Sequence, residues 1–322
     1  MASIANDRSD GGLIVVLGAT GGLGGALVRE LVTRGKPVRG VARRMPDVGV
    51  DGVEFRAADA ESGEGLASAC AGAGVVVDAL NPPYAEWPER FPAMNRAVIG
   101  VAEEQGARLV FVDNLYAYGP HDGPLTEDLA RAATSTKGRV RILLEQELMA
   151  AHEAGRVRVA IGRLSDYYGP HGPGSVIPAL ILGPAVAGKT MRWPGSLDQP
   201  HTLHFLPDAA RGLATLVLDD RADGAVWHLP AARAPTGREF TVLVNDALER
   251  PVKVRPLGAA MMRIGGLFSK DAREMVELSY QWTAPFVSDA TRFEATFGPV
   301  QTTAHAEAVA LTLAAMRREH AA

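Results

Sequence analysis

The chain lacks paired cysteines, long apolar runs and clusters of basic residues. Cys70 is the single cysteine in 322 residues, so neither an intramolecular disulfide nor a thiolate metal cluster can form. No segment reaches the roughly 20 uninterrupted apolar residues that a bilayer requires. Residues 1–12 are polar and contain no apolar signal region. These absences predict a cytoplasmic protein without a membrane partner.

Charge is dispersed along the chain. Lys and Arg number 33 and Asp and Glu number 37, which gives a net charge of −4. Because no run of Lys or Arg could neutralise a phosphate backbone, nucleic acid is not an expected partner. Hydrophobic residues make up 47% of the chain, enough to bury one large core or two modest ones.

Short β-branched runs alternate with helical patterns from Leu13 onward, which is typical of βαβ units on a parallel sheet. The runs are almost continuously apolar, as expected of strands covered by helices on both faces. The expected strands are 13–17, 37–42, 53–56, 75–80, 108–113 and 157–163, and the expected helices between them are 22–34, 63–71, 91–105 and 137–154. The pattern predicts a Rossmann-type, doubly wound α/β fold with six or more strands.

The alternation stops after Asp166, where Pro and Gly cluster over 169–174. The expected organisation is a flexible tail over 1–12, a dinucleotide-binding domain over 13–166 with 200–229 packing back on it, and a smaller substrate-binding region formed by 167–199 and 230–322. That region is expected to be mainly helical. Further helices are expected at 208–218, 236–248, 259–268, 272–282 and 304–318.

A glycine-rich turn follows the first strand and opens the first helix. A glycine at the strand end permits the tight turn, the next allows close approach to a pyrophosphate, and the third lets the helix pack on the strand. The helix N-terminus then offers N–H groups to the anion. The predicted dinucleotide contacts in this turn are Gly18, Thr20, Gly21, Gly22, Leu23 and Gly24. A purely structural turn is the alternative.

The end of the second strand bears on the choice between NADP and NAD. An acidic residue there would bind the ribose 2′-hydroxyl and repel a 2′-phosphate. This chain has Ala42 at that position, followed by Arg43 and Arg44, whose guanidinium groups suit phosphate contact. The prediction is NADP(H), with NAD(H) as the alternative if the arginines form only a solvated loop edge.

Further cofactor contacts are expected where the third and fourth strands end. Asp59 could bind the adenine amino group or cap the following helix. Asn81 leaves the fourth strand at the edge where ligands bind in open α/β sheets, although Asn before Pro is also common in turns. The candidates from these two segments are Asp59, Ala60, Leu80, Asn81 and Pro82.

These motifs resemble those of the extended and atypical short-chain dehydrogenase/reductases, a group that includes nucleotide-sugar epimerases, dihydroflavonol-type reductases and NAD-dependent epimerase/dehydratase proteins. The resemblance covers most of the chain. It is based on the segments 18–24, 118–120, 163–170 and 205–210. Residues 293–298 resemble an element near the end of such enzymes, so the chain is expected to be complete. The resemblance implies a Rossmann fold and a bound dinucleotide.

The chain departs from this family at the catalytic positions. The family has a Ser or Thr at the end of the fifth strand and a Tyr-x-x-x-Lys pair on the next helix. Matching places Asn114, Lys137 and Arg141 at those three positions. Lys137 is therefore expected to bind the nicotinamide ribose or to donate a proton, with a solvated helix start as the alternative. Asn114 could bind a substrate carbonyl through its amide or stabilise a turn.

Residues at the carboxyl edge supply the remaining candidates. Tyr168 is the candidate for a displaced proton donor, with a packing role as the alternative. By the same matching, Leu164 and Ser165 border the nicotinamide. The candidates for substrate contact are Tyr84, Tyr116, Asp166 and Trp193.

No metal site is predicted. The eight histidines are scattered, and the spacing of His201 and His204 along an expected strand would send their rings to opposite faces. No third ligand at a fixed spacing accompanies them.

These observations predict an NADP-dependent oxidoreductase that transfers hydride to or from a small or medium carbonyl, alcohol or activated alkene. Two alternatives remain. One is a nucleotide-sugar-type epimerase or dehydratase, and the other is a non-catalytic NADP-sensing regulator. A homodimer is a further expectation, since helices matching 91–105 and 137–154 often pair across a dimer in related proteins.

Overall fold

The computed structural model describes residues 12–47, 49–172, 174–248, 251–258 and 276–321. The expected tail lies outside this part of the chain except for Gly12. The expected helix over 259–268 and the beginning of the one over 272–282 also lie outside it.

The described residues form strands that we number in chain order. They are β1 (Leu13–Leu17), β2 (Val38–Ala42), β3 (Glu54–Ala57), β4 (Ala73–Asp78), β5 (Arg108–Asn114), β6 (Val159–Leu164), β7 (Tyr167–Tyr168), β8 (Met191–Trp193), β9 (His204–Phe205), β10 (Ala225–His228) and β11 (Val254–Pro256).

Seven of these strands form one parallel sheet in the order β10-β6-β5-β4-β1-β2-β3. The order reverses between β1 and β4, so the loops after these two strands diverge and leave a crevice at the carboxyl edge. The predicted Rossmann-type sheet of six or more strands is confirmed. The edge strand β10 was not identified in the sequence. It has only four residues and lies within the segment expected to pack back on the sheet.

The helices cover both faces of the sheet. They are α1 (Gly22–Thr33), α2 (Leu66–Cys70), α3 (Trp87–Gln105), α4 (Thr136–Glu153), α5 (Gly183–Val186), α6 (Leu206–Leu218) and α7 (Gly237–Asp246), followed by Tyr280–Thr283, Thr291–Phe297 and His305–Ala321. Helices α1 and α6 pack together on one face, and α3 and α4 on the other. Successive residues such as Val15 and Val16 are both fully buried, because neighbouring side chains of a strand point to opposite faces. This two-sided burial explains the continuous apolar runs.

A third core belongs to the region after β6. Tyr168, Trp193, Phe240 and Trp282 pack there with the C-terminal helix. Two small parallel pairs, β7 with β9 and β8 with β11, connect its segments. Since β6 leads almost directly into β7, this region lies next to the carboxyl edge of the large sheet.

Candidate functional site

The glycine turn after β1 leaves no room for side chains at two of its positions. Gly18 has a φ of +77°, and a Cβ atom there would lie 2.6 Å from the carbonyl oxygen of Ala79. A Cβ atom on Gly24 would overlap the carbonyl oxygen of Gly18. The turn is therefore packed tightly against the chain that leaves β4. No side chain caps the N-terminus of α1, so its first amides fit a pyrophosphate.

A groove runs along the ends of β1, β2, β3 and β4. Six predicted cofactor residues line it: Arg43, Asp59, Ala60, Leu80, Asn81 and Pro82. The Asp59 carboxylate accepts a hydrogen bond from the backbone N–H of Glu61 at 2.8 Å. Gly65 is the N-cap of α2, so the helix-capping alternative for Asp59 does not hold. The groove has the position and lining expected for the adenosine half of a dinucleotide.

The arginines after β2 differ in position. Arg43 lines the groove, whereas Arg44 does not, and both are exposed. Among the described residues, neither is part of an ion pair. Ala42 is buried and pairs with Ala57 of β3.

Asn114 closes β5 and begins a 3-10 turn over Leu115–Tyr118. Its side-chain oxygen accepts the backbone N–H of Tyr116 at 3.0 Å. The turn-stabilising role is therefore present. This bond uses the oxygen and not the amide NH₂ group, so the expected substrate contact remains a prediction.

Lys137 is buried at the start of α4, with 1% of its surface exposed. Its ammonium nitrogen lies 3.1 Å from the Glu277 carboxylate. Ser135 caps the helix, because its hydroxyl oxygen accepts the backbone N–H of Gly138. The alternative that Lys137 is a solvated residue at a helix start is wrong, since its side chain is buried. The same carboxylate accepts the backbone N–H groups of Thr136 and Lys137. Burial opposes ionisation of Glu277, yet these hydrogen bonds and the ammonium lower its pKa.

Arg141 lies one turn further along α4 and is also buried. Its guanidinium carbon is 4.3 Å from the centroid of the Trp87 ring and 4.6 Å from that of Phe91. Nη1 lies 3.3 Å from the Asp113 carboxylate, and Nη2 donates to Asn81 at 3.4 Å. Within the described ranges Nε and Nη1 donate no hydrogen bond. Burial lowers the pKa of Arg141. Buried donors of this kind suit ribose or substrate oxygens.

Two tyrosines from neighbouring loops meet beside Arg141. The hydroxyl oxygens of Tyr84, after β4, and Tyr116, after β5, are 3.0 Å apart. Burial raises the pKa of Tyr84 and raises that of Tyr116 further. Both hydroxyls therefore keep their protons near neutral pH. One of them donates its hydrogen to the other, and the accepting hydroxyl keeps its own hydrogen for a further partner.

The segment after β6 brings Ser165 and Asp166 to the same edge. The Asp166 carboxylate lies 2.9 Å from His201 Nε2, and the Ser165 N–H donates to His204 Nδ1 at 3.2 Å. Both histidines thus contact this segment, and the expectation of opposite faces is wrong, because β9 begins only at His204. Burial lowers the pKa of His204 to about 4, so its ring is neutral.

Leu164 and Ser165 are expected to contact the nicotinamide. Their location is consistent with this prediction. Leu164 pairs with Asn114 across β5 and β6. A Cβ atom on Gly22 would lie 3.4 Å from the Tyr167 ring, so the segment after β6 borders the glycine turn.

Tyr168 and Trp193 do not join this group of residues. The Tyr168 hydroxyl lies 2.7 Å from His305 Nδ1, and His305 Nε2 lies 3.0 Å from the Arg233 carbonyl oxygen. A carbonyl oxygen only accepts, so Nε2 carries the ring hydrogen and Nδ1 accepts the tyrosine proton. Burial also raises the pKa of Tyr168. Trp193 packs edge-on against Trp282. We therefore correct both assignments to packing residues of the third core.

The sequence analysis missed Glu277 and the role of His201. Glu277 acts on residues about 140 positions earlier, and His201 contacts Asp166 from 35 positions away. Because the partners are so far apart along the chain, no sequence motif of fixed spacing predicts either contact.

The described part of the chain has neither a metal-binding cluster nor a helix that could span a membrane. No group of three His, Cys, Asp or Glu side chains there could hold a metal ion. No described helix has the length and apolar character needed to cross a membrane.

Comparisons with solved structures give the same fold. UDP-glucuronic acid 4-epimerase from Bacillus cereus, solved with UDP-glucuronic acid and NAD, is 13% identical over 95% of this chain and 99% of that chain, with a TM-score of 0.78. DesIV, a dTDP-glucose 4,6-dehydratase from Streptomyces venezuelae solved with NAD, is 19% identical over 96% and 98%, with a TM-score of 0.79. MoeE5, solved with UDP-glucose and NAD, is 19% identical over 96% and 100%, with a TM-score of 0.75.

Sequence comparisons give a family. No curated protein matches the chain significantly. Residues 14–228, more than half of the chain, match the model of the NAD dependent epimerase/dehydratase family. The resemblance seen in the motifs is confirmed, and the chain belongs to the NAD dependent epimerase/dehydratase family.

Proposed function

We propose that the protein reduces a carbonyl group of a small-molecule substrate with hydride from NADP(H). The observation that carries this proposal is the pair of protonated tyrosine hydroxyls, Tyr84 and Tyr116, 3.0 Å apart at the carboxyl edge. Reduction of a carbonyl places negative charge on its oxygen, and hydrogen-bond donors stabilise that charge. Because burial raises the pKa of both tyrosines, the hydroxyls stay protonated near neutral pH and can serve as hydrogen-bond donors.

The cofactor assignment is supported by the groove. Arg43 is an exposed cation on its wall, and Ala42 replaces the acid that would bind a free 2′-hydroxyl. The turn over 18–24 would hold the pyrophosphate, and Asp59 the adenine amino group. A dinucleotide bound there supplies the hydride.

The side chains of the site would position the substrate. The amide of Asn114 and the tyrosine hydroxyl whose hydrogen is not donated to the other tyrosine would hold the carbonyl oxygen. The buried donors of Arg141 would hold the nicotinamide ribose. Lys137, held 3.1 Å from the Glu277 carboxylate, would donate an ammonium hydrogen to the nicotinamide ribose.

A second candidate is epimerisation or dehydration of a nucleotide-linked sugar. The family and the three solved structures described above favour it. Such a reaction begins by removing a proton from a substrate hydroxyl, which requires a base. Because burial raises the pKa of both tyrosines, their hydroxyls stay protonated near neutral pH and neither supplies that base. The state of these two tyrosines therefore favours reduction.

One experiment separates the candidates. NADPH and NADH binding are measured by titration calorimetry. The protein is then mixed with NADPH and an aldehyde and ketone panel, and separately with UDP-glucose, UDP-glucuronic acid or dTDP-glucose, and absorbance at 340 nm and product NMR are followed. We expect tighter binding of NADPH and its oxidation by a carbonyl compound. Conversion of a nucleotide sugar without net dinucleotide oxidation would support the second candidate, and failure to bind either dinucleotide would refute both.

The binding assay has a matched pair of variants. Arg43→Asp should weaken NADPH binding more than NADH binding, because it replaces a cation on the groove wall by an anion. Arg44→Asp changes the neighbouring residue, which does not line the groove, and should have a smaller effect.

A further inference from the structure

The ring of His201 has a fixed partner on each nitrogen. Nδ1 lies 3.0 Å from the backbone carbonyl oxygen of Gln281, which can only accept, so Nδ1 carries a hydrogen. Nε2 lies 2.9 Å from Oδ2 of Asp166 and, in a longer contact, 3.4 Å from the hydroxyl oxygen of Ser165. The ring stacks on Trp282 with centroids 3.9 Å apart and an angle of 6° between the planes. The imidazole therefore has one defined orientation.

This orientation fixes the number of protons between His201 and Asp166. A neutral ring with its hydrogen on Nδ1 would present the Nε2 lone pair to an ionised carboxylate, and two acceptors would face each other. One proton must therefore lie between Nε2 and Oδ2. It is carried either as imidazolium and carboxylate or as neutral imidazole and carboxylic acid. We call this pair of atoms the proton link.

Asp166 is the more exposed of the two residues in the proton link. The Asp166 side chain is 11% exposed, while that of His201 is 2% exposed. Burial is the main cause of the raised pKa values of Tyr84 and Tyr116, and the negative charge of Asp166 raises them as well. Asp166 is therefore close enough to both hydroxyls to act on them electrostatically. The described titratable groups that face the proton link or the two tyrosine hydroxyls are Tyr84, Tyr116, Tyr167, Arg141 and His204.

The other groups do not compete for this proton. The three tyrosines stay protonated, because burial raises the pKa of each. His204 stays neutral, and its Nε2 lies 3.0 Å from the Leu229 carbonyl oxygen, so that nitrogen carries the ring hydrogen.

We propose that Asp166 is the catalytic acid that protonates the substrate oxygen and that His201 is the positioning residue that holds the proton in the link. This inference rests on the proposed reduction. As the carbonyl carbon accepts the hydride, the C=O π electron pair moves to the oxygen, which forms an O–H bond with the proton of the link. The dinucleotide is oxidised and the carbonyl reduced. A neutral His201 and an ionised Asp166 remain, and solvent returns the proton through Asp166.

The proton link can be tested without substrate by ¹⁵N NMR of the full chain labelled at histidine. The His201 signals are assigned from their loss in His201→Gln. Asp166→Asn removes the carboxyl group that shares the proton, so Nε2 should shift towards the frequency of a deprotonated ring nitrogen at pH 7. Whichever atom carries the proton, the wild type should show either a protonated Nε2 or a low-field ¹H resonance of a carboxylic acid hydrogen-bonded to Nε2. If neither signal is present, the link holds no proton and the inference is overturned.

The catalytic role is tested with 4-nitrobenzaldehyde and NADPH in single-turnover experiments. Asp166→Asn should slow NADPH oxidation by about 100-fold, the usual effect of losing a general acid. NADPH affinity should stay within about twofold, since Asp166 does not line the groove. His201→Gln should slow the reaction less and shift the pH at which the rate falls, because the proton is held less tightly. A purely structural histidine would not move that profile.

His228→Gln is the matched control. His228 is equally buried and its Nδ1 lies 3.1 Å from the backbone carbonyl of Asp289, but its Nε2 faces the Tyr118 hydroxyl instead of a carboxylate. Its pH profile should match that of the wild type.

The outcomes separate this inference from the proposed function. Wild-type turnover with an equally active Asp166→Asn that binds NADPH would overturn the role of Asp166 alone. NADPH binding without turnover would overturn the proposed reduction and the catalytic role together, while the NMR result would still decide whether the proton link exists.

Discussion

The Lys137 and Glu277 pair offers the sharpest test of how the candidate site is held together. Glu277→Gln keeps the size of the side chain but removes its charge. Lys137 is 2% exposed at its side chain, so its ammonium would be left without this counterion in a poorly solvated position. The two backbone N–H groups of Thr136 and Lys137 would also lose a charged acceptor.

The size of the stability loss in Glu277→Gln depends on how deeply Lys137 and Glu277 are buried. Removing one member of a fully buried ion pair costs about 3–5 kcal/mol. Glu277 is 25% exposed, so solvent replaces part of the interaction, and we expect a loss of about 2–4 kcal/mol. For a chain of this size, that loss corresponds to a fall in melting temperature of roughly 5 °C.

The assay is thermal unfolding followed by circular dichroism, with Glu103→Gln as the control. Glu103 pairs with Arg156 at 2.8 Å, but the two side chains are 41% and 47% exposed. An exposed pair contributes about 0–1 kcal/mol, so the control should change little. Equal melting temperatures for the two variants would contradict the buried-pair explanation. Lys137→Met in the Glu277→Gln background should recover part of the loss, because the buried ammonium that has lost the Glu277 carboxylate is removed.

The same pair predicts a pH dependence. The pKa of Glu277 in the folded chain is lower than its ordinary value of 4.5. The stabilisation that it provides is therefore complete above about pH 4.5 and is lost as the pH falls through the folded pKa. The difference in stability between wild type and Glu277→Gln should narrow over that range. A constant difference down to pH 3 would contradict this prediction.

Three further predictions concern the groove, the turn and the third core. Arg43→Asp should weaken NADPH binding by about tenfold or more through lost phosphate contact, and an equal effect on NADH in calorimetry would contradict the phosphate role. Gly24→Ala should abolish dinucleotide binding and lower the melting temperature, because the new methyl group would overlap the Gly18 carbonyl oxygen. Tyr168→Phe should cost about 1–2 kcal/mol, since His305 loses a hydrogen-bond donor, and should leave NADPH affinity unchanged. A large loss of NADPH affinity in Tyr168→Phe would indicate that Tyr168 belongs to the candidate site after all.

Sequence patterns predicted the fold because they depend on near neighbours along the chain. Continuous apolar runs marked strands buried on both faces, and the spacing of Gly18, Gly21 and Gly24 marked a turn between a strand and a helix. Element bounds were less accurate. Helix α2 spans only Leu66–Cys70, because Gly63 and Gly65 before it have positive φ angles. The four-residue spacing of Lys137 and Arg141 placed them on one face of α4. It did not show that both side chains are buried.

The sequence by itself determined the Rossmann architecture, the glycine turn and the set of strand ends at which a site must lie. Tertiary structure alone decided which side chains meet there. Tyr84 and Tyr116 are 32 residues apart, Asp166 and His201 are 35 apart, and Lys137 and Glu277 are 140 apart. Contacts over such separations depend on where loops from different strands return to one edge of the sheet. The periodicity of apolar residues does not predict which loops meet there. Tertiary packing also decided that Tyr168 and Trp193 lie in the third core and not in the candidate site.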